Sequence, residues 1–321
     1  MNRRIVALLL VLGSLTACER QGEEINPTRG RVTAIVAESH AALVQREADE
    51  FHRLYETAQV TVLPATSREA VVHLLNDSVR VIIIDRPLNA EEQAVVKNND
   101  LGVHETKIAI DALALVVHQQ NPITNLTPAT LKQIVRREIT NWSAVSASSR
   151  QAVPEGKWSG PLEFVFTGRN SGAYELLAQK FLNLSEELIP AVAVQTQKEV
   201  LDYVAGHPRS LGIVSTACFY EVTRPRGIPD STSVLRTLAV ERQDSTGARE
   251  FVKLYPANVH RGFYPFAYGL YIYTTSSSTR DAGPEVGFAT FIASFPGQKI
   301  IQEAGLVPAT MPIRLVQINE D

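Results

Sequence analysis

Short apolar runs alternate with helical patterns along most of this chain. Residues 32–37, Val-Thr-Ala-Ile-Val-Ala, read as a buried strand. After it, Leu43, Val44, Ala48, Phe51, Leu54 and Tyr55 return at helical spacing to one face. Residues 59–63 predict a second strand, 69–75 a short helix and 79–84 a third strand. This β-α-β-α-β order predicts a parallel sheet. A strand over 108–118 leads to Thr127 and Pro128, which suit the cap and first turn of a helix reaching Val135. Residues 143–160, rich in Ser, Ala and Gly, predict a polar loop. Beyond it come a strand over 162–167, a helix from about 171 to 182, a helix over 197–205 and a strand over 211–215. The pattern closes with a strand over 268–274 and a helix over 285–294. There is no internal repeat and no coiled coil.

The N-terminus has a different pattern. Arg3 and Arg4 precede an apolar stretch over 5–12, then Gly13-Ser14-Leu15-Thr16-Ala17-Cys18, the charged, apolar and small-residue zones of an export signal. The apolar stretch is too short to span a bilayer. Leu15-Thr16-Ala17-Cys18 resembles a bacterial lipobox, which implies a signal peptide over 1–17, cleavage before Cys18 and lipidation of its thiol. An ordinary signal peptide with an incidental cysteine is the other reading. Residues 18–29 are polar and read as a tether.

Composition narrows the function classes. The chain has 321 residues, about two domains' worth, with 45% hydrophobic and 20% charged residues, so it is neither disordered nor a polytopic membrane protein. Lys plus Arg number 31 against 34 Asp plus Glu, a net charge of −3, and loss of Arg3 and Arg4 with the signal leaves 29 against 34, or −5. That balance argues against a nucleic-acid binder. Two cysteines, Cys18 and Cys218, exclude a disulfide framework and a cysteine-rich metal site. Cys218, between Ala217 and Phe219, reads as a buried core residue. The seven histidines show no metal-ligand spacing, and neither a metal nor an organic cofactor is expected. No Gly-x-Ser-x-Gly nucleophile elbow occurs, so a hydrolase lacks its usual signature.

The chemistry collects where strands hand over to helices. The first predicted strand ends at Glu38-Ser39-His40, the second at Thr66-Ser67-Arg68, the third at Asp85-Arg86, and the later one at Gly168-Arg169-Asn170-Ser171-Gly172. In open α/β sheets ligands bind outside the carboxyl ends of strands, where helix N-termini offer free N–H groups. Ser39, Thr66, Ser67 and Ser171 each read equally as N-caps, and Thr66 with Glu69 has capping-box spacing. Together with Arg169 and Asp85 they point to a small-anion site. Arg169 also fits a surface salt bridge, and Asp85 a pair with Arg68 or Arg86. Glu38 fits beside an anion only if it turns outward or pairs with a cation such as Arg68. No Gly-x-x-x-x-Gly-Lys phosphate loop is present.

The order of these segments resembles the PstS-like phosphate-binding proteins of bacterial ABC importers, a group of periplasmic binding proteins. The likeness is carried by Ile110-Asp111-Ala112-Leu113, Asn121-Pro122-Ile123-Thr124, Ile139-Thr140-Asn141-Trp142, Arg169-Asn170-Ser171-Gly172, Gly262-Phe263-Tyr264-Pro265, Gly297-Gln298-Lys299 and Gly305-Leu306-Val307-Pro308. The resemblance implies an α/β fold of the two-lobed periplasmic-binding-protein type II, with the ligand cleft between lobes. Lobe I takes 30–110 plus 263–321 and lobe II 111–262, with strand crossings near Ile110-Asp111 and Tyr264-Pro265. Ser39, Ser67, Asp85, Arg169, Ser171 and Gly172 match the ligand-binding positions, with His40, Thr66, Arg86 and Asn170 as flanking candidates. The arginine loop is shorter here than the family pattern, and Ala173 replaces a threonine.

The resemblance implies an extracytoplasmic, lipid-anchored protein on the periplasmic side of a bacterial membrane, without enzymatic activity. Its partners would be phosphate or a similar oxyanion and an ABC permease. It would touch the membrane through its anchor alone, bind no nucleic acid and act as a monomer. The alternatives are a binding module of the same fold with altered specificity, acting in sensing or scaffolding, and an extracytoplasmic hydrolase. The aromatic group Phe263, Tyr264, Phe266, Tyr268, Tyr271 and Tyr273, with Trp142 and Trp158, fits core packing better than a ligand platform.

Overall fold

A computed structural model describes residues 25–149, 158, 160–168, 171–184, 190–224, 233–275 and 282–311. Cys18, Arg169 and Asn170 lie outside them. Strands β1 (Gly30–Ala37), β2 (Ala58–Ala65) and β3 (Val81–Ile84) are parallel, as their β-α-β-α-β order predicts. Helices α1 (Ala41–Leu54) and α2 (Ser67–Leu75) connect them. The two faces of this sheet are legible in the alternation of β1. Ala34 and Val36 pack with Val44, Phe51, Ile83, Phe288 and Phe291, whereas Ile35 packs on the opposite side with Ala70, Leu74, Ile82 and Ile84. With both faces covered, β3 is apolar throughout. Each such large side chain contributes roughly 1.5–3 kcal/mol on burial.

The long strand β4 (Val103–His118) joins this sheet to a second one. Its first part pairs antiparallel with β12 (Ala267–Thr275), which also pairs with β3. Its last part, from Leu113, pairs antiparallel with β8 (Ser210–Ser215), followed outward by β6 (Glu163–Thr167) and β7 (Val192–Val194) in parallel. Around this second sheet a separate core gathers Leu113, Leu115, Phe164, Phe166, Leu201, Ile213 and Tyr264. The fold is two-lobed α/β, with β4 threading both halves.

Several elements go beyond the sequence pattern. Residues 142–149 form helix α5 (Trp142–Ser149), following α4 (Pro128–Val135), where a polar loop was expected. Asn141 accounts for it, accepting from the Ala144 N–H at 2.8 Å, while Trp142 is buried and donates to the Arg209 carbonyl. Helix α3 (Ala90–Asn98) buries none of its side chains and so has no apolar stripe to read, but Asn89 and Glu92 form a capping box at its start. The segment after β6 is helix α6 (Gly172–Glu175), continuing as a π-helical turn over Leu176–Phe181. Helices α7 (Gln197–Gly206) and α8 (Thr216–Thr223) flank β8. Helices α10 (Pro284–Ala293) and α11 (Phe295–Glu303), after the short α9 (Pro256–His260), return to the first half. Cys218 is half-buried on α8 rather than fully enclosed. Burial pushes its thiol pKa up to about 12. No helix among the described residues is long and apolar enough to cross a membrane.

Candidate functional site

The carboxyl ends of β1, β3, β6 and β8 lead into the loops that face one another between the two halves. Ser67 opens α2 and is buried, and its Oγ donates to Asp85 Oδ1 at 2.7 Å. Asp85 follows β3 and is 2% exposed. Its other oxygen, Oδ2, is buried and has no hydrogen-bond partner among the described residues. Opposite it stands Gly172, the first residue of α6, so close that a Cβ there would overlap Oδ2. Ser67, Asp85 and Gly172 therefore meet although they come from three separate segments.

Ser171 caps α6, accepting from the Tyr174 N–H at 3.2 Å, and its hydroxyl also bonds Thr167 at 2.6 Å. The Thr167–Ser171 pair fixes the start of α6 against the end of β6. Lys180, later in the same segment and over the Phe181 ring at 5.3 Å, feels the Asp85 charge. Desolvation lowers its pKa, and Asp85 acts in the opposite direction. Glu38, exposed after β1, has a pKa raised by desolvation and then by the charges of Asp85 and Glu69. The described part of the cleft is thus rich in carboxylates and hydroxyls.

The other candidates take different places. Thr66 is held in the capping box: it accepts from the Glu69 N–H at 3.1 Å, and Glu69 Oε2 accepts from the Thr66 N–H at 3.0 Å. Arg86 directs both terminal nitrogens to Glu92, each at 2.8 Å. Neither Arg68 nor Arg86 forms an ion pair with Asp85 among the described residues. Ser39 is half-buried and lines a groove of about 560 Å³ with Arg46, Ala217, Tyr220 and Arg224, a lining that includes neither Ser67, Asp85 nor Gly172.

His40 turns inward, and its Nε2 lies 2.8 Å from Asp111 Oδ2 with both side chains fully buried. Tyr268 Oη donates to the same oxygen at 2.9 Å, while Asp111 Oδ1 accepts from the N–H groups of Ala112 at 2.7 Å and Thr216 at 3.1 Å. Asp111 sits where β4 passes between the halves, opposite Tyr268 in β12, and at the first residue of α8. Its charge is satisfied by four donors, so it ties the crossing strands and α8 together. The signal for it was a carboxylate inside the apolar run 108–117 of β4. The aromatic group packs as expected: Tyr264, Phe266, Tyr268 and Tyr273 are buried. Burial and the charges of Asp111 and Asp85 raise the Tyr268 pKa, keeping its hydroxyl a donor.

Residues 21–295 match the PBP superfamily domain. The chain is 24% identical over 310 residues to Protein SphX of Synechococcus elongatus, covering 95% of this chain and 85% of that protein. It is 23% identical over 310 residues to the phosphate-binding protein PstS of Pseudomonas aeruginosa, covering 91% of this chain and 87% of that protein. The fold is similar to that of a Clostridium perfringens protein assigned as a phosphate ABC transporter substrate-binding protein and solved with bound phosphate. The TM-score is 0.67 at 19% identity, over 87% of this chain and 100% of the other. With a family match across most of its length and two sheets threaded by one strand, the chain belongs to the PBP superfamily, among relatives named as phosphate-binding proteins.

Proposed function

We propose that this protein captures inorganic phosphate outside the cytoplasm and hands it to an ABC permease. The observation that carries the reading is the buried Asp85 Oδ2, without a partner among the described residues, set between Ser67 and the start of α6. An ionised carboxylate only accepts hydrogen bonds, so it suits an oxyanion that still carries a proton and repels one that does not. Ser67 holds the other carboxylate oxygen, Ser171 and the backbone of Gly172 supply donors beside it, and Arg169 would meet two anion oxygens with its planar fork. The names of the relatives support phosphate as that anion. Ser39 and Asn170 belong to the same proposed set through the family pattern.

The division of the chain at 110/111 and 262/263 is part of the reading, because Asp111 marks the strand crossing. So are the lipid anchor at Cys18, a monomeric state and the absence of turnover. One observation favours a second reading, a different oxyanion: Glu38 stands within the fields of both Asp85 and Glu69, and this group of carboxylates opposes a doubly charged ligand. Thermal unfolding with added phosphate tests the proposal. Phosphate at a hundred times its Kd should stabilise the protein by about 2.7 kcal/mol. No shift with phosphate, or release of phosphate from an ester, contradicts it.

A further inference from the structure

Two consecutive residues at the end of β3 address two points on one helical turn of the opposite half. Asp85 abuts Gly172, and Arg86 approaches Glu175, three residues further along α6. Arg86 is placed firmly. Its fork is bidentate on Glu92, and Nη1 also donates to the Pro87 carbonyl at 3.1 Å. Glu92 is itself fixed, because its Oε2 accepts from the Asn89 N–H at 2.8 Å in the capping box of α3. The one nitrogen left over, Arg86 Nε, is buried and has no hydrogen-bond partner among the described residues. It lies 3.7 Å from Glu175 Oε1. That is an ion pair about 0.5 Å longer than the N–H···O hydrogen-bond range.

We propose that Glu92, Arg86 and Glu175 form a latch between the two halves: Glu92 holds the guanidinium, and Glu175 docks on its free Nε–H as the cleft closes. Arg86 is then a positioning residue for anion capture and not an anion ligand. The pair already draws the halves together at 3.7 Å without ligand, and a small approach of α6 converts it into a charge-assisted hydrogen bond. The side chains of Arg86 and Glu175 are 17% and 27% exposed, so the pair is only partly screened. Glu175 also lies in the first turn of α6, where a carboxylate is favoured before docking. The latch therefore tunes closure without fixing it. The shared ligand rests on the phosphate reading above, but the contact between the halves does not.

The test uses the parent, Glu175→Gln and Glu92→Gln. Small-angle X-ray scattering without ligand reads closure directly, and stopped-flow dissociation of phosphate reads it through the bound state. Glu175→Gln should enlarge the ligand-free radius of gyration and speed phosphate dissociation about three- to tenfold, with its unfolding midpoint unchanged. Glu92→Gln should lower the unfolding midpoint by loosening both the cap and Arg86, a loss that a purely structural triad would share. An unchanged radius of gyration in Glu175→Gln overturns the latch, as does an unchanged dissociation rate in a protein that binds phosphate. Should the parent not bind phosphate, the function proposal fails by itself and the scattering comparison still decides the latch.

Discussion

Asp85 and Gly172, 87 positions apart in sequence, meet so closely that residue 172 has no room for a side chain. Gly172 is helical and buried, so its need for glycine is steric: alanine would favour the helix but strike Asp85 Oδ2. Gly172→Ala should weaken phosphate binding by at least about tenfold, ~1.4 kcal/mol. Its unfolding free energy should move by no more than about 1 kcal/mol. Calorimetric titration paired with urea unfolding separates the two effects, and equal losses in both would point to general disruption.

The Asp111 network predicts a stability effect of a different size. Removing the carboxylate leaves the N–H groups of Ala112 and Thr216, the Tyr268 hydroxyl and His40 without their acceptor in a dry interior. Asp111→Ala should lower stability by about 3–5 kcal/mol, and Tyr268→Phe by about 1–2 kcal/mol. Urea denaturation checks both, and a loss below about 1 kcal/mol for Asp111→Ala would contradict its place as the tie between strands.

Glu47 predicts a pH dependence. It is 1% exposed on α1, neither of its oxygens has a hydrogen-bond partner among the described residues, and burial pushes its pKa up to about 9. The folded protein keeps this proton between about pH 4.5 and 9, where the unfolded chain releases it. Stability from this group is therefore complete below about pH 4.5 and falls as pH rises through that window, by at most about 1.4 kcal/mol per pH unit. Glu47→Gln should flatten the slope and be the more stable protein at pH 8. Unfolding midpoints of both proteins at pH 5.5 and 8 provide the comparison, and parallel slopes would contradict it.

Local rules were readable wherever the chain decides its own conformation. Thr66 with Glu69 forms the capping box its spacing announces, and Thr127 with Pro128 starts α4 where expected. The apolar runs of β1, β3 and β4 became strands because both faces of their sheets are covered. Helix α3 escaped the periodicity because it buries nothing, and the capping box of Asn89 and Glu92 at its start went unread. The short strands β9 (Leu235–Thr237), β10 (Ala239–Gln243) and β11 (Arg249–Val252) offer too little alternation to separate from loop.

At the site, residue types were legible and partners were not. Asp85 was readable as a strand-end acid, but nothing in sequence distinguished a partner in Arg68 or Arg86 from its actual one, Ser67. The approach of Gly172 depends on how two separately folded halves face each other, which no local pattern encodes.

Thr66→Ala offers a calibration of those local rules. It deletes one side of the capping box while leaving Ser67 and Asp85 in place, and should lower stability by about 1 kcal/mol. Phosphate affinity should stay within about twofold, less than 0.5 kcal/mol. Thermal unfolding and calorimetry read the two quantities, and a large affinity loss would move Thr66 from cap to ligand.

The central claim is that Asp85 selects a protonated oxyanion. Calorimetric titration of the parent and Asp85→Asn with phosphate and with sulfate near neutral pH tests it most directly. The parent should prefer phosphate by at least about a hundredfold, ~2.7 kcal/mol, and Asp85→Asn should lose most of that preference. Equal affinity of the parent for the two anions, or an unchanged preference in Asp85→Asn, would contradict the account.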